Sequence, residues 1–232
     1  ILIMVKKNIL VVAAHPDDEV LGCGGTIIKY SQKYNVFSVI VGEGYTSRIN
    51  KKKNISKNLK LLKQHANKAA KIMGVKKTFF LSLPDNKLDT LPLLEIIQKI
   101  ESIINKVKPE IIYTHHHGDL NIDHQIINKA VLTATRPSNK HIVKSVRTFE
   151  ILSSSEWNFQ NSNKKIFKPN LFIDITDELE KKIESFLCYK TEVKSFPHPR
   201  SKEGIKHLAR LRGTTAGMKA AECFYILRSI EE

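Results

Sequence analysis

Short apolar runs rich in branched residues alternate along the chain with longer segments whose apolar positions recur three and four apart. Residues 8–14, 36–41, 78–83 and 110–114 are nearly continuous apolar runs, the pattern of strands buried on both faces. Between them, residues 26–33, 56–73 and 91–107 carry helical spacing, with Gly74 and Pro109 as stops. This β-α-β-α-β-α-β series predicts an α/β fold, a Rossmann-like three-layer sandwich with a mostly parallel sheet. Right-handed crossovers then place the loop after each strand along one edge, where open α/β sheets bind ligands. Further on, residues 146–152 and 171–175 read as strands, separated by a polar surface loop at 158–165. Helices are expected at 177–189 and 202–211, and a last short strand at 223–227. With no internal repeat or linker, residues 1–232 are expected to form a single domain.

Composition adds constraints rather than a function. A chain of 232 residues buries roughly 70% of its unfolded surface without staples, and 41% hydrophobic with 26% charged residues is ordinary for a globular protein. Cys23, Cys188 and Cys223 are odd in number and lack a CxxC pair, so neither a disulfide framework nor a cysteine zinc site is indicated. A reducing cytoplasm is the simplest home. Residues 6–14 imitate a short signal peptide, but cleavage there would place His15 at the new terminus, and no apolar run approaches the roughly 20 residues of a transmembrane helix. The net charge of +15 raises the question of a nucleic-acid partner. No aromatic stacking set or nucleic-acid motif accompanies it, so the lysines read as solvated helix faces and no nucleic acid is expected.

Two polar clusters follow predicted strands. The first, Ala14-His15-Pro16-Asp17-Asp18-Glu19, crowds an imidazole and three carboxylates together. Adjacent carboxylates raise each other's pKa unless a cation neutralises them, so a metal or a basic partner is expected; an acidic turn capping the next helix is the plainer alternative. The second runs His115-His116-His117-Gly118-Asp119-Leu120-Asn121-Ile122-Asp123-His124. Two histidines and a carboxylate around zinc leave a position open for water, as in hydrolytic sites. His124 is the strongest candidate there, because Asp123 or another nearby carboxylate can orient its ring from behind. Gly22-Cys23-Gly24-Gly25 matches no phosphate-binding loop, and the upstream carboxylates would repel a pyrophosphate. Those glycines are expected to let a helix start close against the sheet.

These clusters resemble the signatures of the LmbE-like, or PIG-L, N-acetylglucosaminyl deacetylases. Ala14 to Glu19 matches AHPDDE in full, and Gly118 to His124 is similar to the second signature, which ends in a D-H pair. Further likeness lies in Arg48, in His198-Pro199-Arg200-Ser201, in Arg212-Gly213 and in Ala221-Glu222 with Phe224. The resemblance implies that His15, Asp18 and His124 hold Zn2+, that Asp17 is the general base and that Glu19 supports the loop. A His2Asp set also accepts Fe2+ or Mn2+.

One position departs from the family. Relatives carry histidine three residues before the last ligand, where this chain has Asn121. Asparagine can donate a hydrogen bond to an oxyanion but cannot deliver a proton. The acid role is therefore expected of His198, and Arg48 and Arg200 are expected to bind substrate hydroxyls, phosphate or carboxylate. The implied activity is removal of acetyl from an N-acetylated amino sugar, free or within a glycoconjugate or sugar nucleotide. A metal phosphoesterase and a zinc-retaining sugar-binding module without turnover are the alternatives. A homo-oligomer is compatible with all three.

Overall fold

The computed structural model describes residues 6–48, 54–137, 141–159 and 166–231. Strand β1 (Asn8–Ala13) leads to helix α1 (Asp18–Ser31), β2 (Asn35–Gly42), α2 (Ile55–Met73), β3 (Lys77–Leu83), α3 (Leu93–Val107) and β4 (Ile111–His115). Then come α4 (Ile122–Ala134), β5 (Ser145–Phe149), β6 (Leu171–Asp174), α5 (Leu179–Phe186), α6 (Lys202–Thr215) and β7 (Ala221–Ser229). Among the described residues the strands form one seven-stranded sheet in the order β3-β2-β1-β4-β5-β7-β6. The first five are parallel, β7 runs antiparallel to β5, and β6 runs antiparallel to β7.

Strand β1 shows why the sheet is buried on both faces. Its residues alternate between two cores: Ile9 and Val11 face α1, α2, α5 and α6, while Leu10 and Val12 face α3 and α4. Each such side chain contributes roughly 1.5–3 kcal/mol by leaving water. The expected Rossmann-like sandwich is therefore present, and no helix among the described residues is long and apolar enough to cross a membrane.

Three details differ from the expectation. Helix α1 starts at Asp18 rather than near Thr26, and it kinks at Cys23 (φ −150°, ψ 24°). The kink frees backbone N–H groups, and the Glu222 carboxylate accepts from Gly25 at 2.9 Å and Thr26 at 2.7 Å, with Lys182 Nζ 2.6 Å away as its counter-ion. A Cβ at Gly22 would lie 2.4 Å from the Phe149 ring and one at Gly25 would lie 2.8 Å from Ile175, so these glycines serve the close approach expected of them. Helix α4 was not expected, because its buried positions include Asp123, His124 and Asn128, which read as loop chemistry. The strand expected at 146–152 ends at Phe149, where the chain turns toward the strand-end edge.

Candidate metal centre

Strands β1 and β4 are neighbours whose connections depart to opposite sides, β1 toward β2 and β4 toward β5. This is the topological switch point of the sheet, and the crevice beyond its strand ends is where such folds bind ligands. His15 follows β1, Asp18 opens α1, and His124 sits in the first turn of α4. The three form a group able to hold a metal ion.

The geometry tests whether a cation fits. His15 Nδ1 lies 3.3 Å from Asp18 Oδ2 and 3.3 Å from His124 Nε2, and His124 Nε2 lies 3.2 Å from Asp18 Oδ2. These separations are close to the edges of a tetrahedron with about 2.0–2.1 Å bonds, about 3.3–3.4 Å. Each ring is held from behind by a carboxylate. Asp123 Oδ2 is 3.0 Å from His15 Nε2, and Asp119 Oδ1 is 3.1 Å from His124 Nδ1, the latter too far off-line for a good hydrogen bond. With protons on those outer nitrogens, both inner nitrogens turn lone pairs toward Asp18. Three converging lone pairs need a positive centre. Burial opposes charge on both rings, yet Asp123 and Asp18 hold His15 up at about 10, and Asp18 and Asp119 hold His124 up at about 9. The donor set fits Zn2+, with His15, Asp18 and His124 as the residues to hold it.

Of the carboxylates expected to orient His124, Asp123 backs His15 instead, and the other nearby one, Asp119, stands behind His124. Helix geometry is the reason, since adjacent residues on α4 point about 100° apart. Asp119 accepts from Ser154, from Ser155 at 2.6 Å and from Asn121 N at 2.9 Å. Burial raises its carboxyl, but His124 and the two serines outweigh that and bring it to about 2. Of the histidine run, His115 is structural: its Nε2 accepts from Ala14 N at 2.8 Å, it stacks on His124 at 3.9 Å, and burial holds it well below the usual imidazole range.

Asp17 stands beside the group in a strained backbone, φ 105°, at the N-cap of α1. Non-glycine residues held there concentrate at functional sites, provided that neighbours enforce them. Here Glu19 Oε2 accepts from Asp17 N at 3.1 Å, and Tyr189 donates its hydroxyl to Glu19 Oε1. Burial pushes Glu19 up to about 7 against those hydrogen bonds. Glu19 thus supports the loop. Asp17 is pushed well above the carboxylate range by burial, while Arg200 pulls it back.

Arg200 lines the same cavity as the metal group, where a ligand would lie, and it also engages protein carboxylates. Its Nη1 donates to Asp17 Oδ2 at 2.9 Å and lies 3.6 Å from Glu192 Oε2, because a buried carboxylate pair needs a cation. His198, expected as the acid, is tied to its own loop. Its Nδ1 accepts from Arg200 N at 3.0 Å, its ring meets Trp157 at 5.7 Å, and it is not among the residues lining the cavity. Burial and Arg200 lower its pKa from the usual imidazole value. Asn121 caps α4, accepting from Asp123 N at 2.9 Å, and its Nδ2 donates to Asn86 at 2.9 Å. Arg48 closes a short 3-10 helix, Thr46–Arg48, and its side chain lies outside the described residues. Asp85 and Glu192 were not anticipated. Asp85 lies 3.4 Å from His15 Nε2 and accepts from Ser47; its place two residues after β3 was the available signal.

Comparison with known proteins bears on the family and the fold. The E. coli K12 protein YaiS, an uncharacterized deacetylase, is 31% identical over 139 residues, 56% of this chain and 69% of its own length. The N,N'-diacetylchitobiose deacetylase of Pyrococcus horikoshii shares the fold with a TM-score of 0.78 at 21% identity, over 96% of this chain and 84% of its own. GalB of Pseudomonas putida, the 4-carboxy-2-hydroxymuconate hydratase, does so at 0.73 and 22%, over 97% of this chain and 99% of its own. The fold therefore hosts more than one chemistry, and the site residues must decide among them. Residues 10–135, more than half of the chain, match the family described as PIG-L, GlcNAc-PI de-N-acetylase, and the chain belongs to that family.

Proposed function

We propose that the chain is a zinc-dependent hydrolase that removes acetyl from an N-acetylated amino sugar. The observation that carries this reading is the convergence of His15, Asp18 and His124 beside Asp17, a buried carboxylate positioned in the same cavity. Zinc would supply Lewis acidity for the amide carbonyl and lower the pKa of an attacking water. Asp17 takes the proton from that water as it adds to the carbonyl. When the C–N bond breaks, Asp17 returns the same proton to the amine nitrogen, so no second acid is needed where His198 does not line the cavity and Asn121 replaces histidine. Arg200 favours the anionic form of Asp17, the form that can accept a proton, against the burial that raises its pKa. Asn121 lines the cavity and has a second amide N–H to offer the developing oxyanion. The cavity wall sets Asp17 and Asp85 against one cation, Arg200, which itself donates to Asp17, so it favours a neutral amide over a charged phosphoester. The intact base argues against a binding module without turnover.

Acetate release from N-acetylglucosamine, N,N'-diacetylchitobiose and simple N-acetylglucosaminides tests the reading. Activity should vanish with a chelator and return with zinc. A zinc-loaded preparation that releases acetate from none of them would overturn it. The outer carboxylates give a separate prediction: Asp119→Asn and Asp123→Asn should each weaken zinc binding about 10–100-fold, as losses behind a ligating histidine do. Competition with a chromogenic chelator measures this, and wild-type affinity in both variants would remove them from the metal's support.

A further inference from the structure

Charge is not spread evenly along this chain. Residues 44–84 carry eleven basic residues and no Asp or Glu, while the other 191 residues carry 27 basic and 23 acidic ones, near balance. Most of the net charge of +15 therefore belongs to the stretch that builds α2 and its flanks.

On α2 the charge faces one way. At the helical step, Lys57, Lys60, Lys68 and Lys71 fall within about 80° of arc, opposite the buried Leu62, Ala66, Ala69 and Met73 and with Gln64 among them. All four lysines are exposed, and they join no ion pair among the described residues. The arrangement costs the helix. Lys57 and Lys60, like Lys68 and Lys71, are equal charges three residues apart, and Lys57 opposes the helix dipole in a first turn that holds no acidic residue. Local rules broken without local compensation are expected where a surface serves a function.

This face begins at the metal cavity. Gly44 lines the cavity, and the adjacent Tyr45 hydroxyl accepts from Asn58 Nδ2 in the first turn of α2. Lys57 precedes Asn58 and Lys60 follows it, and from Lys57 to Lys71 the helix rises about 21 Å. The cavity itself, about 90 Å³, is smaller than the roughly 300–1,000 Å³ of sites that enclose a whole small molecule, so most of a larger substrate lies outside it.

The chemistry of the face selects its occupant. A helix that docks on a bilayer sinks apolar side chains into it, but the apolar face of α2 is spent on the core, and Leu61 is its one exposed large apolar residue among those described. Nucleic-acid strands bind on aromatic platforms, and the helix has no Phe, Tyr or Trp. What remains are ammonium groups and the Gln64 amide, donors for negatively charged and hydroxyl-rich chains.

We infer that the outer face of α2 binds an anionic glycan. One N-acetyl amino sugar of the chain enters the metal cavity, and charged groups on the sugars beyond it lie along Lys57, Lys60, Lys68 and Lys71. The inference rests on the N-deacetylase reading above.

The test uses calorimetric binding to the zinc-loaded full chain of two oligosaccharides of equal length: hyaluronan, which alternates N-acetylglucosamine with glucuronate, and neutral chitin. Exposed ion pairs are individually weak, so four together should favour hyaluronan by about tenfold or more at low ionic strength. Salt should erode that preference. Combining Lys57→Gln, Lys60→Gln, Lys68→Gln and Lys71→Gln should bring it near one; glutamine has nearly the helix propensity of lysine, so the fold is kept. A control of equal charge, combining Lys99→Gln, Lys129→Gln, Lys168→Gln and Lys219→Gln, should retain it. No preference in the wild type, or equal loss in the two variants, overturns the inference. Hyaluronan preference that needs the α2 lysines, without acetate release from any N-acetyl sugar, sinks the deacetylase reading and supports the track; acetate release without the preference sinks the track alone. Sedimentation with phosphatidylglycerol vesicles, or binding of single-stranded DNA, that is lost in the α2 variant while hyaluronan shows no preference would place a bilayer or a nucleic acid there instead.

Discussion

Alanine at His15, Asp18 or His124 is expected to remove bound zinc and to lower turnover by about a thousandfold or more. A metal that polarises the carbonyl and activates water supplies several kcal/mol of transition-state stabilisation, and each 1.36 kcal/mol is tenfold. Elemental analysis of the three variants checks the metal, and unchanged metal content in all of them would sink the assignment. The pH dependence of stability gives an independent readout with opposite signs in the two forms. In the metal-free protein, His15 and His124 are raised from 6.5 to about 10 and about 9, so their pairing with Asp123, Asp18 and Asp119 stabilises fully below about 6.5. That stability is lost as pH rises through about 9–10. In the zinc-loaded protein, protons compete with the ion, and the stabilisation by metal is lost as pH falls. Thermal melts of chelated and zinc-loaded samples across this range should therefore slope in opposite directions.

The strands and the first metal signature were legible because their information is local. Residues 8–14 form a continuous apolar run since both faces of β1 are buried, and His15 to Glu19 lie within one turn of chain. Helix α4 was obscured by the same residues that make it functional: it buries an aspartate, a histidine and an asparagine among its apolar positions, which blurs a helical stripe. What could not be read was pairing between distant segments. Arg200 was recognised as a forked donor at the site, but its pairing with Asp17, 183 residues away, was not. Likewise Tyr189 reaches Glu19 across 170 residues, and only the packing of α5 against α1 and α2 brings them together. Periodicity finds elements; which side chains meet at their ends is set by topology.

Asp17→Asn separates the base from the metal. The variant is expected to keep zinc, because Asp17 is outside the ligand group, and to keep the fold, because asparagine tolerates the positive φ of 105° better than most residues. Turnover should fall about a hundredfold or more, the scale of losing a positioned base. The neighbouring Arg200 supplies the control that distinguishes a titrating base from a structural carboxylate. Burial raises the Asp17 pKa and the guanidinium at 2.9 Å lowers it, so Arg200→Met removes the lowering influence and the pKa moves up. Since only the anion accepts a proton, the acid limb of the rate profile should shift to higher pH in Arg200→Met. The rate on the plateau should fall much less than in Asp17→Asn. In the same experiment a metal-only mechanism predicts no shift of that limb, because the zinc ligands are untouched. A profile in Arg200→Met that superimposes on the wild type, together with near-normal turnover in Asp17→Asn, would move the base elsewhere. Asp85 would then be the next candidate, since it lines the same cavity.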